Sequence, residues 1–188
     1  GEEEVGARLE PGGPRVRLQE VHRFTHDVRV LDGHERWDFA RILAEVEHGL
    51  ALAGRTAGKA LRSVGVDGWG VDHGFLDAQG RLLADPISYR DARTNGVLAR
   101  VLERVSRAEL HARTGIQCMP INTSVQLFAQ VEAGEWPEGA ARMLMIPHLV
   151  HRHLSGSEVS EETNASTTQL LGPRSRRWDA ELCAILGI

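Results

Sequence analysis

The chain reads as an α/β domain. Extended segments with alternating apolar residues come first, helical periodicities interleave with further strands after them, and no repeat or low-complexity linker divides the chain. Its 188 residues suit one ordinary domain and are too few for two comfortable ones, and at 41% hydrophobic and 26% charged residues they can bury a core.

Residues 1–13 are acidic and glycine-rich and are expected as a leader or exposed turn, with the folded domain over 14–188. Val16, Leu18 and Val21 alternate imperfectly towards Phe24, which predicts a strand, and a second is expected at Val28–Leu31. Asp32-Gly33 suits a tight turn, since both residues tolerate positive φ. Asp38 is placed to cap a helix whose apolar face is Phe39, Ile42, Leu43, Val46 and Leu50, with Gly54 as its stop. Leu61–Asp67 and Val71–Asp77 read as strands, Asp77–Gly80 as a turn and Leu82–Tyr89 as an extended segment. Helical spacing returns from Asp91 with Val97, Leu98, Val101, Leu102 and Val105. Ser106-Arg-Ala-Glu109 has capping-box spacing for a short helix that stops at Gly115. Asn122 or Thr123 caps the next, with Val125, Phe128 and Val131 on its face. Met143–Ile146 reads as a buried strand, Pro147 opens a helix ending near Gly156, and Asp179 caps a last one through Leu182, Ile185 and Leu186.

The bulk numbers exclude several classes. A net charge of −4 gives nucleic acid little to bind, because counterion release needs clustered Lys and Arg; the basic run Arg174–Arg177 is short and reads as a solvated turn. No apolar run approaches the ~18 residues of a membrane span, and no basic-then-apolar leader marks a signal peptide. Cys118 and Cys183 form no CxxC and read as two small buried hydrophobes in a reducing compartment. The expectation is a cytoplasmic globular domain with no nucleic-acid or membrane partner. The chain does not open on Met, which points to a processed or partial chain.

Few groups stand out chemically. Gly65, Gly68, Gly70 and Gly74 invite a nucleotide reading, but the spacing Gly68-x-Gly70-x-x-x-Gly74 is one residue too long for GxGxxG and leads into a strand. No GxxxxGK[ST] occurs. The cluster is a close backbone turn at a strand end, and a packing turn and a ligand turn remain equally open. His148, His151 and His153 lack the third ligand that a helical metal site needs and read as surface or half-buried histidines; no metal site is expected. Asp67, Asp72 and Asp77 follow the strand pair and read first as turn or cap residues, and Asp91 lies between Arg90 and Arg93. On these grounds a small-ligand edge lies near residues 67–73 and 89–94, without a complete active site.

The string Val64-Gly-Val-Asp-Gly-Trp-Gly-Val-Asp72-His-Gly-Phe-Leu-Asp77 is similar to the IDTWGVD segment of rhamnulokinases, in the FGGY carbohydrate kinase family. Further matches follow in the family's order at Tyr89-Arg-Asp-Ala-Arg-Thr94, Thr114-Gly-Ile-Gln117, Asn122-Thr123 and Thr163-Asn-Ala-Ser-Thr-Thr-Gln-Leu170, with Val21-His-Arg-Phe24 and Trp37-Asp38 upstream. The resemblance implies an actin-like ATPase fold, in which two RNase H-like domains flank a cleft and this chain supplies most, but not all, of the first. It implies ATP-dependent phosphorylation of the 1-hydroxyl of L-rhamnulose in L-rhamnose catabolism, with ATP and Mg²⁺ as cofactors. It places Gly70 against the sugar, with Trp69 and Asp72 walling the site or fixing the turn, and Tyr89, Arg90, Asp91 and Asn122 as weaker substrate-binding candidates. Two departures stand out. The DxGxxSGR-type phosphate loop is absent before Pro14, and the HDT-like motif carrying the catalytic base is not reached by Ile188, so no catalytic residue is expected in this chain and it is expected to be inactive alone. Gly68 also stands where Thr is usual. Another FGGY kinase for xylulose, fuculose or a polyol, and a non-catalytic sugar-binding fragment, are the alternatives. Unpaired sheet edges left by a missing central strand predict self-association.

Overall fold

The computed structural model describes the backbone of residues 3–9 and 16–188 and the side chains of residues 18–188. Strand β1 (Glu3–Leu9) pairs antiparallel with β2 (Val16–Arg23), Leu9 opposite Val16 and Glu3 opposite Arg23, with a register shift at Glu4/Val5. Residues 3–9 are therefore a strand where a leader or exposed turn was expected: a neighbouring strand takes up the backbone N–H and C=O groups that an isolated leader leaves to water. The rest of the expected leader, and the domain start at Pro14, lie outside the described residues.

Strand β3 (Val28–Leu31) turns through Asp32 and Gly33, both at positive φ, into β4 (His34–Trp37). Polar, half-buried β4 carries no alternation to announce it in sequence. Asp38 caps α1 (Phe39–Ala57) by accepting from the amide of Arg41. Phe39 and Ile42 are buried, as their spacing predicts, while the helix runs through Gly54 to stop at Gly58, at φ +52. A glycine inside a helix costs only about 1 kcal/mol, less than the turn of bonds gained beyond it.

Leu61–Asp67 forms no strand. Among the described residues it has no ladder partner, and Val64 is 52% exposed. A β-branched run needs a neighbour to become a strand. Strand β5 (His73–Leu76) pairs antiparallel with β6 (Arg142–Met145), His73 opposite Met145. Leu82–Tyr89 is extended but interrupted: Leu83 donates to Phe75 O of β5, while Trp37 donates to Pro86 O and Ser88 to Glu35 O of β4. Pro86 has no N–H to give, so the segment stitches β4 to β5 without becoming a continuous strand.

The helical part follows the capping signals closely. A short 3₁₀ turn (Ala92–Thr94) precedes α2 (Val97–Arg104), and Ser106 caps α3 (Arg107–Thr114), which ends at left-handed Gly115. Helix α4 (Thr123–Ala133) is buried through most of its circumference. Helix α5 (Ile146–Ser155) follows β6, α6 (Glu162–Ser166) is capped by Glu161, the short strands β7 (Leu171–Gly172) and β8 (Arg177–Trp178) form a hairpin around the exposed Arg174–Arg177 turn, and Asp179 caps α7 (Ala180–Leu186).

Alternate residues of a strand face opposite sides, and the β5–β6 pair uses this to separate two cores. Phe75 faces a core of Val97, Val101, Leu110, Val125, Phe128 and Leu182 from the helices α2, α3, α4 and α7. Leu76 and Leu144 face a second core with Trp37, Phe39, Ile42 and Leu149, from β4, α1 and α5. The layered arrangement is α/β, as the alternation of elements predicts.

Candidate functional site

The glycine turn sits where β5 begins, between the N-terminus of α4 and the segment after α6. The amide of Asp72 donates to the carbonyl of Gly70 at 2.9 Å, and Val71 between them has φ +66. An i to i+2 bond around a positive-φ residue is a γ-turn of the strained class, and a β-branched residue there is a true outlier. Such a conformation persists only where its surroundings over-determine it. Here they do so three times: Val71 N donates to Thr167 Oγ1 at 3.2 Å, while Val71 O accepts from Thr123 Oγ1 at 2.7 Å and Gln126 Nε2 at 3.2 Å.

Gly70 has a packing reason. A Cβ built there would lie 2.7 Å from Thr167 Oγ1. Gly68 has a milder one, its Cβ falling 3.2 Å from Pro147 Cγ, so the departure at position 68 has a local packing partner.

Asp72 is fully buried. Its Oδ2 accepts from Trp37 Nε1 at 2.7 Å and Trp69 Nε1 at 2.9 Å, and Gln126 and the amide of Tyr89 also donate to the carboxylate. Burial pushes its pKa above the ordinary carboxylate value, against the downward pull of those donors. Trp69 and Trp37 lie 5.0 Å apart, and the His26 ring stacks on Trp69 at 5.4 Å. Both His26 ring nitrogens are buried without a partner among the described residues, and burial lowers its pKa.

The expected residues divide into groups. Trp69, Gly70 and Asp72 form the turn, Tyr89 reaches Asp72 through its backbone, and Asn122 holds the start of α4, accepting from Met119 N at 2.6 Å. Arg90 is exposed and sits over the Tyr89 ring, donating to its hydroxyl at 3.0 Å. Asp91 is buried away from the turn: it accepts from Glu35 N at 2.8 Å and Arg93 N at 3.0 Å and meets His34 Nδ1 at 3.1 Å, tying the 3₁₀ turn to β4. Asp77 closes its own turn on Gln79 and Arg81. His148 is buried, not surface or half-buried as expected, because its Nε2 accepts from Glu161 N at 2.9 Å at the head of α6.

Sequence reasoning did not single out Gln126, Arg93 or Thr167. Arg93 is buried, and its Nη2 donates to Gln126 Oε1 at 2.5 Å. Thr167 supplies the turn's acceptor across 96 positions. Only the Thr163–Leu170 and Tyr89–Thr94 strings, as blocks, pointed towards the last two.

Among the described residues no group of three His, Cys, Asp or Glu could hold a metal ion, and the glycine run leads into β5 instead of a helix N-terminus. Nor is any helix among them long and apolar enough to cross a membrane.

Comparison with known proteins places this geometry in a family. The chain is 41% identical over 181 residues to a rhamnulokinase of Yersinia pestis (strain Pestoides F), covering 95% of this chain and 37% of that protein. It is 40% identical over 174 residues to a rhamnulokinase of Enterococcus faecalis, covering 93% of this chain and 35% of that protein. The chain thus spans a little over a third of the length of the relatives it matches. Among solved structures it superposes on xylulose kinase from Rhodospirillum rubrum with a TM-score of 0.76 at 21% identity, over 98% of this chain and 38% of that one. On Plasmodium falciparum glycerol kinase with ADP the TM-score is 0.70 at 16% identity, over 93% and 36%. The fold is thus that of the first, RNase H-like part of an actin-like sugar kinase. Residues 17–188 match the N-terminal domain of the FGGY family of carbohydrate kinases, and the chain belongs to that family.

Proposed function

We propose that this chain is the sugar-binding part of a rhamnulokinase-type enzyme, which phosphorylates the 1-hydroxyl of L-rhamnulose with ATP and Mg²⁺. The observation that carries the reading is the strained Gly70–Val71–Asp72 turn in the Trp-Gly-Val-Asp string, held by Thr123, Gln126 and Thr167. Strain kept at three bonds' expense is a mark of a functional backbone position. The identity to rhamnulokinases supports the choice of sugar. In this reading Gly70 lets the sugar approach the backbone, and the half-buried Trp69 walls the site. Asp72 holds the two indoles in place and, with both oxygens engaged, takes no proton from the substrate. Tyr89, through its amide on Asp72, and Asn122, at the head of α4, support the turn from outside, whereas Arg90 and Asp91 lie away from it. The base that accepts the sugar proton, a contribution of about 10²–10⁴ in rate, is not among these side chains, so the chain alone is inactive.

The test is calorimetric titration of L-rhamnulose, then L-xylulose, into the chain with and without ATP–Mg²⁺. Heat with rhamnulose that is lost when Gly70 is replaced by a bulky residue is the expected result. Stronger heat with xylulose moves the substrate to another member of the family, and rhamnulose-dependent ATP turnover by the chain alone overturns the inactive reading.

A further inference from the structure

Two helices grip the glycine turn, and one buried histidine joins them. Helix α5 opens with the amide of Ile146 donating to Asp72 O at 3.2 Å, while Pro147 packs against Gly68. The end of α6 supplies Thr167 Oγ1, which accepts from Val71 N at 3.2 Å. His148 lies in the first turn of α5, and its Nε2 accepts from the amide of Glu161, the capping residue of α6, at 2.9 Å.

From Glu161 a relay runs to the turn in steps of three residues. Glu161 Oε2 accepts from Asn164 N at 2.9 Å. Asn164 O accepts from Thr167 N at 3.0 Å and from Thr167 Oγ1 at 2.7 Å, and the same hydroxyl takes Val71 N. Helix α6 has five residues, little more than one turn, so a shift at its head is passed on to Thr167.

The ring's chemistry makes that head sensitive to protons. With Nε2 accepting, the single proton of neutral His148 sits on Nδ1, which is buried without a partner among the described residues. A second proton has only Nε2 to take, and there it sets an N–H against the amide of Glu161 in place of an acceptor. Burial lowers the pKa of His148; the charge of Glu161 opposes that shift and His151 adds to it. Those are the titratable groups facing the ring, one from α6 and one from its own helix. Hydrogen bonds from Thr163 and Asn164 hold the Glu161 carboxyl down to about 2, so it stays charged throughout. Arg152 and Glu158, on the way from α5 to α6, answer each other at 2.9 Å. The hold on α6 is therefore whole above 6.5, the value of the free residue, and is lost as pH falls through the lowered one.

We propose that His148 is a proton-operated positioning residue for the glycine turn: the neutral ring seats α6 so that Thr167 holds Val71, and the protonated ring releases it. That a released turn binds sugar less tightly rests on the sugar reading above.

The experiment is hydrogen exchange at the Val71 amide, followed by NMR on the 188-residue chain without sugar, from about pH 7.5 to about pH 4.5. His148→Gln puts a side-chain carbonyl that does not titrate in the place of Nε2, and Thr167→Val keeps the shape but removes the hydroxyl. Folding of each is checked by circular dichroism. Across the series, wild-type protection of Val71 is expected to fall about tenfold further than in His148→Gln, the equivalent of one hydrogen bond lost. Thr167→Val is expected to leave Val71 poorly protected at every pH. His26 and His73 titrate in all three proteins, so the difference between wild type and His148→Gln isolates His148. Parallel curves for those two overturn the proposal, and so does a wild-type response that survives in Thr167→Val, which decides the matter if His148→Gln does not fold. Calorimetry with L-rhamnulose over the same range is expected to lose affinity in step with Val71 protection. No heat at any pH removes the sugar reading alone, because the exchange measurement contains no sugar.

Discussion

Arg93 and Gln126 meet at 2.5 Å across 33 positions of sequence, and the same glutamine carries the hold on to Val71 O at 3.2 Å and Ile121 O at 2.8 Å. One side chain thus anchors a buried cation and a strained carbonyl together. Gln126→Leu leaves the Arg93 guanidinium with one partner fewer inside the protein and is expected to cost about 2–4 kcal/mol, read from urea unfolding. A loss below about 0.5 kcal/mol, the range of an ordinary surface change, would show that the linkage carries no weight.

The contact between Gly70 and Thr167 makes a reciprocal prediction. Gly70→Ala places a methyl against the Thr167 hydroxyl and is expected to destabilise by about 1–3 kcal/mol. Thr167→Gly in the same chain removes the clash and is expected to recover part of that loss. A double-mutant cycle with no coupling would mean that the turn moves away freely.

Legibility from sequence followed the range of the interactions. Asp38, Ser106, Gly115, Gly156 and Asp179 act within a turn of their own position, and each was readable from residue type and spacing alone. The Leu61–Asp67 segment was misread because a strand depends on a neighbour that its own residues do not name. Thr167 and Gln126 were invisible for the same reason: their partners are 96 and 55 positions away. The Trp-Gly-Val-Asp string pointed to the proposed site, but not to Asp72 accepting from two indoles.

His73 gives a pH dependence with a definite sign. It is buried beside Arg93 and Gln130, and burial holds its pKa near 4 against 6.5 in the free residue. The unfolded chain therefore binds a proton that the folded one refuses, and the stability tied to neutral His73 is whole above pH 6.5 and drains away as pH falls towards 4. The gap amounts to roughly 3 kcal/mol. The melting temperature of wild type is expected to fall through that window, and that of His73→Leu to fall less; equal slopes would remove His73 as the cause. His26 and His148, whose pKa values burial also lowers, add to the slope in both proteins.

Strand β3 is exposed along its whole length, with Val30 74% accessible, and Leu18 and Val64 are also open to solvent. Exposed apolar residues on edge strands and extended segments favour edge-to-edge association. Sedimentation velocity is expected to show larger species as concentration rises, reduced by Val30→Lys. A monodisperse monomer with a concentration-independent melt would contradict this.

Of the four tryptophans, Trp37 and Trp69 press together on Asp72, whereas Trp136 and Trp178 stand partly in solvent. The protein therefore carries its own optical probe of the glycine turn. Iodide should extinguish the red-shifted emission of the outer pair and spare the blue-shifted inner pair, so that any event loosening residues 69–72 becomes visible as quenchable light, without a label.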